Sequence, residues 1–143
     1  GAQERLQVTT KGPLLFDSHA LLKFFQKEAG HEQVARLLEH AQRALVKKLI
    51  SAVNLGEIIY ITKRAFGDQK KIAVLAHIER LGFTVLPVPN SLIFRAAEYK
   101  ADHRISYADC FALATAIDQK ASIVTGDPEF RKVEHLVNVV WIR

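Results

Sequence analysis

Pro13-Leu14-Leu15-Phe16-Asp17-Ser18-His19-Ala20-Leu21-Leu22 is the stretch on which the fold turns. A short run with the character of a buried strand ends in an aspartate, and an apolar helix starts at once. A carboxylate at such a junction sits at the C-terminal edge of a sheet, where open α/β folds place their ligands. Three further carboxylates fall at junctions of the same kind.

Outward from this stretch, strands and helices alternate. Leu14 to Phe16 is the first strand. Ser18 to Lys27 is a helix with Ala20, Leu21, Phe24 and Phe25 as its apolar stripe, and Gly30 breaks it. A second helix starts near Glu32, with Val34, Leu37, Leu38 and Ala41 on one face. Leu49 to Ala52 reads as a short buried strand. Asn54 opens a third helix that Gly67-Asp68 ends after Phe66, and a fourth runs from Gln69 to Leu81 before Gly82. Phe83 to Leu86 is a strand followed by Pro87 and Pro89. Leu92, Ile93, Ala96 and Ala97 mark a fifth helix, and Ser106 to Ile117 is a sixth. Ser122 to Val124 is a strand, Asp127-Pro128 starts a helical turn, and Asn138 to Ile142 is the last strand. Short apolar strands without alternation, separated by helices, predict an α/β fold: a mostly parallel sheet covered by helices on both faces.

The chain has 143 residues, enough for one domain with its own core. No internal repeat, low-complexity segment or linker divides it. Residues 1–10 are set apart as a flexible N-terminal segment or a cloning scar, and 11–143 are read as the domain. No apolar run approaches the ~18 residues of a membrane span, and the polar start lacks a signal core. Cys110 is the single cysteine, which excludes an intrachain disulfide framework and a multi-cysteine zinc site and points to the cytoplasm. The net charge of +5 favours a polyanionic partner only weakly.

The acids carry the chemistry. Asp17 ends the first strand. Glu57 falls in the first turn of the third helix and Asp109 in the first turn of the sixth. Asp127 follows the strand Ser122 to Val124. In a parallel sheet all strand-to-helix junctions lie at one edge, so the four gather on one rim. Each also has an ordinary reading. Asn54-x-x-Glu57 and Ser106-x-x-Asp109 fit capping boxes, and Asp127 before Pro128 fits an N-cap. Together they resist it. The helix around Asp109 carries no other charge until Asp118, so Asp109 needs a partner in a buried setting. No lysine or arginine lies in the same turns as the four acids. Unpaired carboxylates on one rim repel unless a cation holds them, and oxygen-only donors select Mg²⁺ or Mn²⁺.

The ordered segments Leu15-Phe16-Asp17-Ser18, Ser51-Ala52-Val53-Asn54-Leu55-Gly56-Glu57, Ser106-Tyr107-Ala108-Asp109 and Val124-Thr125-Gly126-Asp127-Pro128-Glu129-Phe130 resemble a PIN domain. The resemblance runs from Leu14 to Ile142 and is closest to the toxin ribonucleases of VapBC-type toxin–antitoxin pairs. It implies a single PIN-like domain and a metal-dependent endoribonuclease. Asp17, Glu57, Asp109 and Asp127 are then the catalytic acids around one or two Mg²⁺ or Mn²⁺ ions, with Ser18, Asn54 and Thr125 in support. It also implies an RNA substrate, a homodimer and an antitoxin partner. A non-toxin PIN nuclease of RNA processing, or a non-catalytic PIN-like binding module, are the alternatives. His19 and Gly56 depart from the usual residues of the pattern without touching an acidic position.

An acidic pocket repels RNA, so basic residues outside it must bind the backbone. Lys47, Lys48, Lys63, Arg64, Lys70, Lys71, Arg104 and Arg131 are the candidates. Lys63 and Arg64 also suit a solvated helix end. The histidines lack the paired spacing of a zinc site. Cys110, Tyr60 and Tyr107 read as packing residues, and Asp102 as a surface acid at a helix end, with an extra acid near the rim as the alternative. A receiver domain would need a second acid after the first strand, and a haloacid-dehalogenase-like phosphatase would need Asp-x-Asp where Asp17-Ser18-His19 stands.

Overall fold

The computed structural model describes residues 12–143, so the reading of residues 1–10 lies outside the described residues. The elements are β1 (Leu14–Phe16), α1 (Ser18–Phe25), α2 (His31–Ala44), β2 (Lys48–Ser51), α3 (Ala52–Phe66), α4 (Asp68–Arg80), β3 (Thr84–Leu86), α5 (Asn90–Asp102), α6 (Tyr107–Gln119), β4 (Ser122–Thr125), a 3₁₀ turn (Pro128–Val133) and β5 (Val139–Trp141). The five strands form one sheet in the order β3-β2-β1-β4-β5, and every pairing is parallel.

The pleat of β1 explains why both faces are covered. Successive strand side chains point to opposite faces. Leu14 and Phe16 enter one core with Ala20, Leu21, Val34, Leu37, Ile58 and Val74, contributed by α1 to α4. Leu15 enters the other, with Leu92, Ala96, Phe111, Leu113 and Phe130 from α5, α6 and the 3₁₀ turn. The neighbouring strands divide in the same way, with Ile50 and Val124 on the first face and Leu49 and Ile123 on the second. Burial of each such Leu, Ile, Val or Phe contributes roughly 1.5–3 kcal/mol. A β1 that is apolar at every position therefore suits only a strand enclosed on both sides.

Strand order fixes where a ligand can sit. From β1 the chain builds outward through β2 to β3. The α5–α6 crossover then returns it to β4 on the other side of β1. The order thus reverses between β1 and β4, and open α/β sheets bind ligands beyond the carboxyl ends of strands at such a switch point. Asp17 follows β1 there, and Thr125 ends β4.

Two expectations shift. The third helix starts at Ala52 with Ser51 as its N-cap, whose hydroxyl accepts from the Val53 N–H at 3.2 Å. Asn54 is therefore inside the helix rather than opening it. β3 is an edge strand with exposed residues, Val85 being 43% exposed, and not an enclosed one. Edge position follows from strand order, which local apolarity does not encode.

Candidate active site

Asp17 is 1% exposed and performs two tasks. Its Oδ1 accepts from the Ala20 N–H at 2.8 Å, which caps α1. Its Oδ2 accepts from the Thr125 hydroxyl across the β1–β4 switch. Thr125 Oγ1 in turn accepts from the Asp127 N–H at 3.0 Å, and Asp127 Oδ1 accepts from the Glu129 N–H at 3.0 Å. One hydroxyl thus ties the end of β1 to the turn after β4. Gly126 suits this turn because a Cβ there would stand 3.0 Å from the His19 ring and 3.1 Å from the Ile142 carbonyl oxygen.

Glu57 lies in the second turn of α3, since that helix begins at Ala52, and the capping box with Asn54 does not form. Instead Asn54 Nδ2 and Ser18 Oγ both donate to Glu57 Oε1, each at 2.9 Å. These two bonds join α1 to α3 and leave Glu57 Oε2 without a polar partner among the described residues. Asp109 occupies the third position of α6, where its N–H donates to Ser106 Oγ at 3.1 Å. That is half of the expected box, and the Asp109 carboxylate does not return the bond.

Asp17 and Asp109 feel the neighbouring acids. Burial, then the charges of Asp109 and Asp127, push the Asp17 carboxyl up to about 7, although the bonds from Thr125 and Ala20 pull it down. Burial first, then Asp127, Glu57 and Glu129, raise Asp109 to about 6, against the pull of Ser106. None of the four forms an ion pair with a lysine or arginine among the described residues. Nor do three His, Cys, Asp or Glu side chains among those residues already stand where one ion could take all three. Asp17 and Asp109 are thus raised chiefly by burial and further by the acids around them.

Sequence reasoning passed over one neighbour of the acids, Glu129, and singled out another, His19, without assigning it a contact. Glu129 lies two residues beyond Asp127 and adds its charge to Asp109, so it is a fifth acid of the rim. The same junction argument, applied one step further along Asp127-Pro128-Glu129, could have found it. His19 has a half-buried ring beside Gly126, and its buried Nδ1 has no hydrogen-bond partner among the described residues. Burial holds its pKa below the usual value, partly opposed by Asp127.

The basic candidates scatter. Lys47 and Lys48 stand at the start of β2, the sheet edge opposite the acids. Lys48 is 6% exposed and its amine donates to Gln42 at 2.9 Å, so burial does not leave it available as a surface contact. Lys63 and Lys71 pair with Asp68 at 3.3 and 3.1 Å. Arg64 lies over Tyr60, and Arg131 over Trp141. Lys70 is exposed on α4, and Arg104 is exposed in the α5–α6 loop. Asp102 is an exposed acid at the end of α5, and Cys110 is a buried core residue, both as expected. Tyr60 and Tyr107 are 48% and 44% exposed, more open than packing residues.

The family model of the PIN domain matches residues 14–136. The chain belongs to the PIN domain family. No curated protein sequence matches it. Solved structures share the fold. The PIN domain here is similar to VapC20 of Mycobacterium tuberculosis, described as a Sarcin-Ricin loop cleaving toxin, at 19% identity and TM-score 0.68, covering 84% of this chain and 94% of that one. It is similar to VapBC2 of Rickettsia felis bound to a promoter DNA fragment, at 15% identity and TM-score 0.74, covering 89% and 96%. It is also similar to FitAcB of Neisseria gonorrhoeae, at 20% identity and TM-score 0.62, covering 88% and 95%. The α/β expectation and the PIN resemblance are borne out.

Proposed function

We propose that this PIN domain is a metal-dependent endoribonuclease and the toxin of a type II toxin–antitoxin pair. One observation carries the reading: burial and the charges of neighbouring acids raise the Asp17 and Asp109 carboxyls at the switch point, Asp109 feeling Asp127, Glu57 and Glu129, and none of Asp17, Glu57, Asp109 and Asp127 pairs with a lysine or arginine among the described residues. Such a donor set fits Mg²⁺ or Mn²⁺. Mg²⁺ commonly takes one or two carboxylates and keeps waters and substrate phosphates as its other ligands, so three converging protein donors are not required. Asp17, Asp109, Asp127 and Glu57 would hold one or two ions. A bound ion supplies an activated water and stabilises charge that develops on the phosphate.

The chain's own residues set the stage for that chemistry. Thr125 fixes Asp17 and the Asp127 turn in one register. Ser18 and Asn54 orient Glu57 through a single oxygen and leave the other without a polar partner among the described residues. Ser106 anchors the first turn of α6 beneath Asp109. Each is a short bond from a rigid element, the support that a carboxylate donor needs to hold its direction.

An antitoxin partner is supported by likeness to toxin–antitoxin complexes and by apolar surface on α1 and α4. Phe24, Phe25 and His77 form a ring cluster beside Val74, and Ile72 of α4 is exposed. Exposed Phe94 and Val85 offer apolar surface to a second copy in a homodimer. No helix of the described residues is long and apolar enough to cross a membrane. The test is cleavage of a panel of structured and single-stranded RNAs with Mg²⁺, Mn²⁺ or EDTA. Cleavage that needs the ion and vanishes in Asp17→Asn and Asp109→Asn supports the proposal; equal cleavage by both variants overturns it.

A further inference from the structure

The end of α5, the α5–α6 loop and Glu129 of the 3₁₀ turn line an open cleft of about 530 Å³, within the ordinary size range of small-molecule sites. Two residues of its lining belong to the acid rim. Ser106 accepts the Asp109 N–H, and the Glu129 charge acts on the Asp109 carboxyl. The cleft therefore adjoins the acids on their α6 side.

Its loop is held rigidly. Lys100 Nζ donates to the Ile105 carbonyl at 2.7 Å, and Lys132 Nζ donates to the Arg104 carbonyl at 2.8 Å. Lys132 also pairs with Glu129 at 3.8 Å, so both ammonium groups are engaged, while the Arg104 side chain is left exposed with no ion pair or hydrogen bond among the described residues. Beside it the His103 ring lies 6.4 Å from that of Tyr99 and 6.1 Å from that of His135. Asp102 also lines the cleft.

This mixture has a chemical meaning. A uniformly basic groove would take any polyanion. Here one guanidinium without an ion pair among the described residues stands with an imidazole ring, the Asp102 carboxylate and Glu129. Glu129 is already paired with Lys132, and the Lys100 amine is engaged by the Ile105 carbonyl. A nucleotide offers the matching set: a phosphate for the guanidinium, a base face for the ring, and base amino or 2′-hydroxyl donors for the carboxylates.

We propose that this cleft is a ribonucleotide subsite next to the scissile position, with a phosphate on Arg104 and a base against His103. The proposal rests on the ribonuclease reading and goes further, because it says on which side of the acids the strand continues. Of the basic residues considered, Arg104 is the one whose cleft touches the acid rim; Lys47 and Lys48 lie at the opposite sheet edge.

The test measures binding of a fluorescein-labelled, mixed-sequence single-stranded RNA by anisotropy across a salt series. All proteins carry Asp17→Asn to prevent cleavage. Arg104→Gln should raise Kd about tenfold and flatten the log Kd against log salt slope by about 0.7, the share of one phosphate contact on a single strand. His103→Gln should raise Kd about fivefold with the slope unchanged, and His103→Tyr should restore affinity, because stacking needs a ring and not an imidazole. Lys47→Gln should leave both quantities at the parent value. If Arg104→Gln and His103→Gln bind like the parent while the native protein cleaves RNA, the subsite is wrong and the nuclease reading stands. If the native protein neither cleaves nor binds RNA, both fall.

Discussion

Asp17 and Lys48 are both buried charges on adjacent strands, at opposite ends of the sheet. Lys48 starts β2, in register with Leu14, and Asp17 follows the end of β1. Burial pushes each toward its neutral form: the Lys48 amine down, the Asp17 carboxyl up to about 7. The difference lies in their neighbours. Lys48 has a neutral partner, Gln42, and burial alone accounts for its shift. Asp17 faces Asp109 and Asp127, whose charges raise it further. A buried charge is thus no mark of a site by itself. Like charges assembled from distant parts of the chain are, since folding gains nothing from bringing them together.

The largest expected contrast is in catalysis. If the rim holds an ion as proposed, Asp17→Asn should lower RNA cleavage by about 100-fold or more, because that ion would lose a donor. Lys48→Met should leave cleavage within about twofold, since the residue lies at the other edge. A Lys48→Met rate as low as that of Asp17→Asn would erase the distinction between the two ends.

Stability against pH comes next. The folded Asp17 and Asp109 carboxyls titrate near 7 and 6, above their unfolded value of 3.8. A group raised on folding stabilises most below its unfolded pKa and loses that contribution as pH rises through the folded one. In EDTA the native protein should therefore lose Tm between pH 4 and pH 8. Asp17→Asn should lose less, and should melt about 3 °C or more above the native protein at pH 8. Lys48 has a lowered pKa, so its contribution falls as pH drops below the unfolded value of 10.5. Lys48→Met should consequently keep the native slope from pH 4 to pH 8. Thermal melts across this range check all three.

The smallest contrast concerns the two hydrogen-bond partners. Thr125→Val removes the hydroxyl that joins Asp17 to the Asp127 turn. It should cost roughly 1–3 kcal/mol in urea unfolding and about tenfold in cleavage. Gln42→Ala removes the partner of Lys48 at an exposed position. It should cost about 1 kcal/mol and leave cleavage alone. Similar losses of activity in both would show that the sheet transmits strain from either edge.

Much of this was legible in the sequence because junction residues report the sheet edge. Leu14-Leu15-Phe16 before Asp17, and Ser122 to Val124 before Asp127, located two acids without any knowledge of strand order. The apolar helix around Asp109 identified it as a buried acid, and Asp109 is 9% exposed. Asn54 misled because it is a common N-cap, yet Ser51 three residues earlier takes that role and Asn54 supports Glu57. Lys48 read as a surface cation because nothing local shows that α2 and the end of α4 close over the start of β2. Exposure of β3 was equally hidden, since edge or centre is decided by distant pairings. Glu129 was in plain view within the matched motif but was passed over beside the proline.

The central claim is that the acid rim is a divalent-cation site, and Mn²⁺ titration by calorimetry at pH 7.5 without RNA tests it most directly. The native protein and Lys48→Met should bind Mn²⁺ equally and gain several degrees in Tm on saturation, while Asp17→Asn and Asp109→Asn bind at least about tenfold more weakly. Native affinity retained in both aspartate variants would contradict the account.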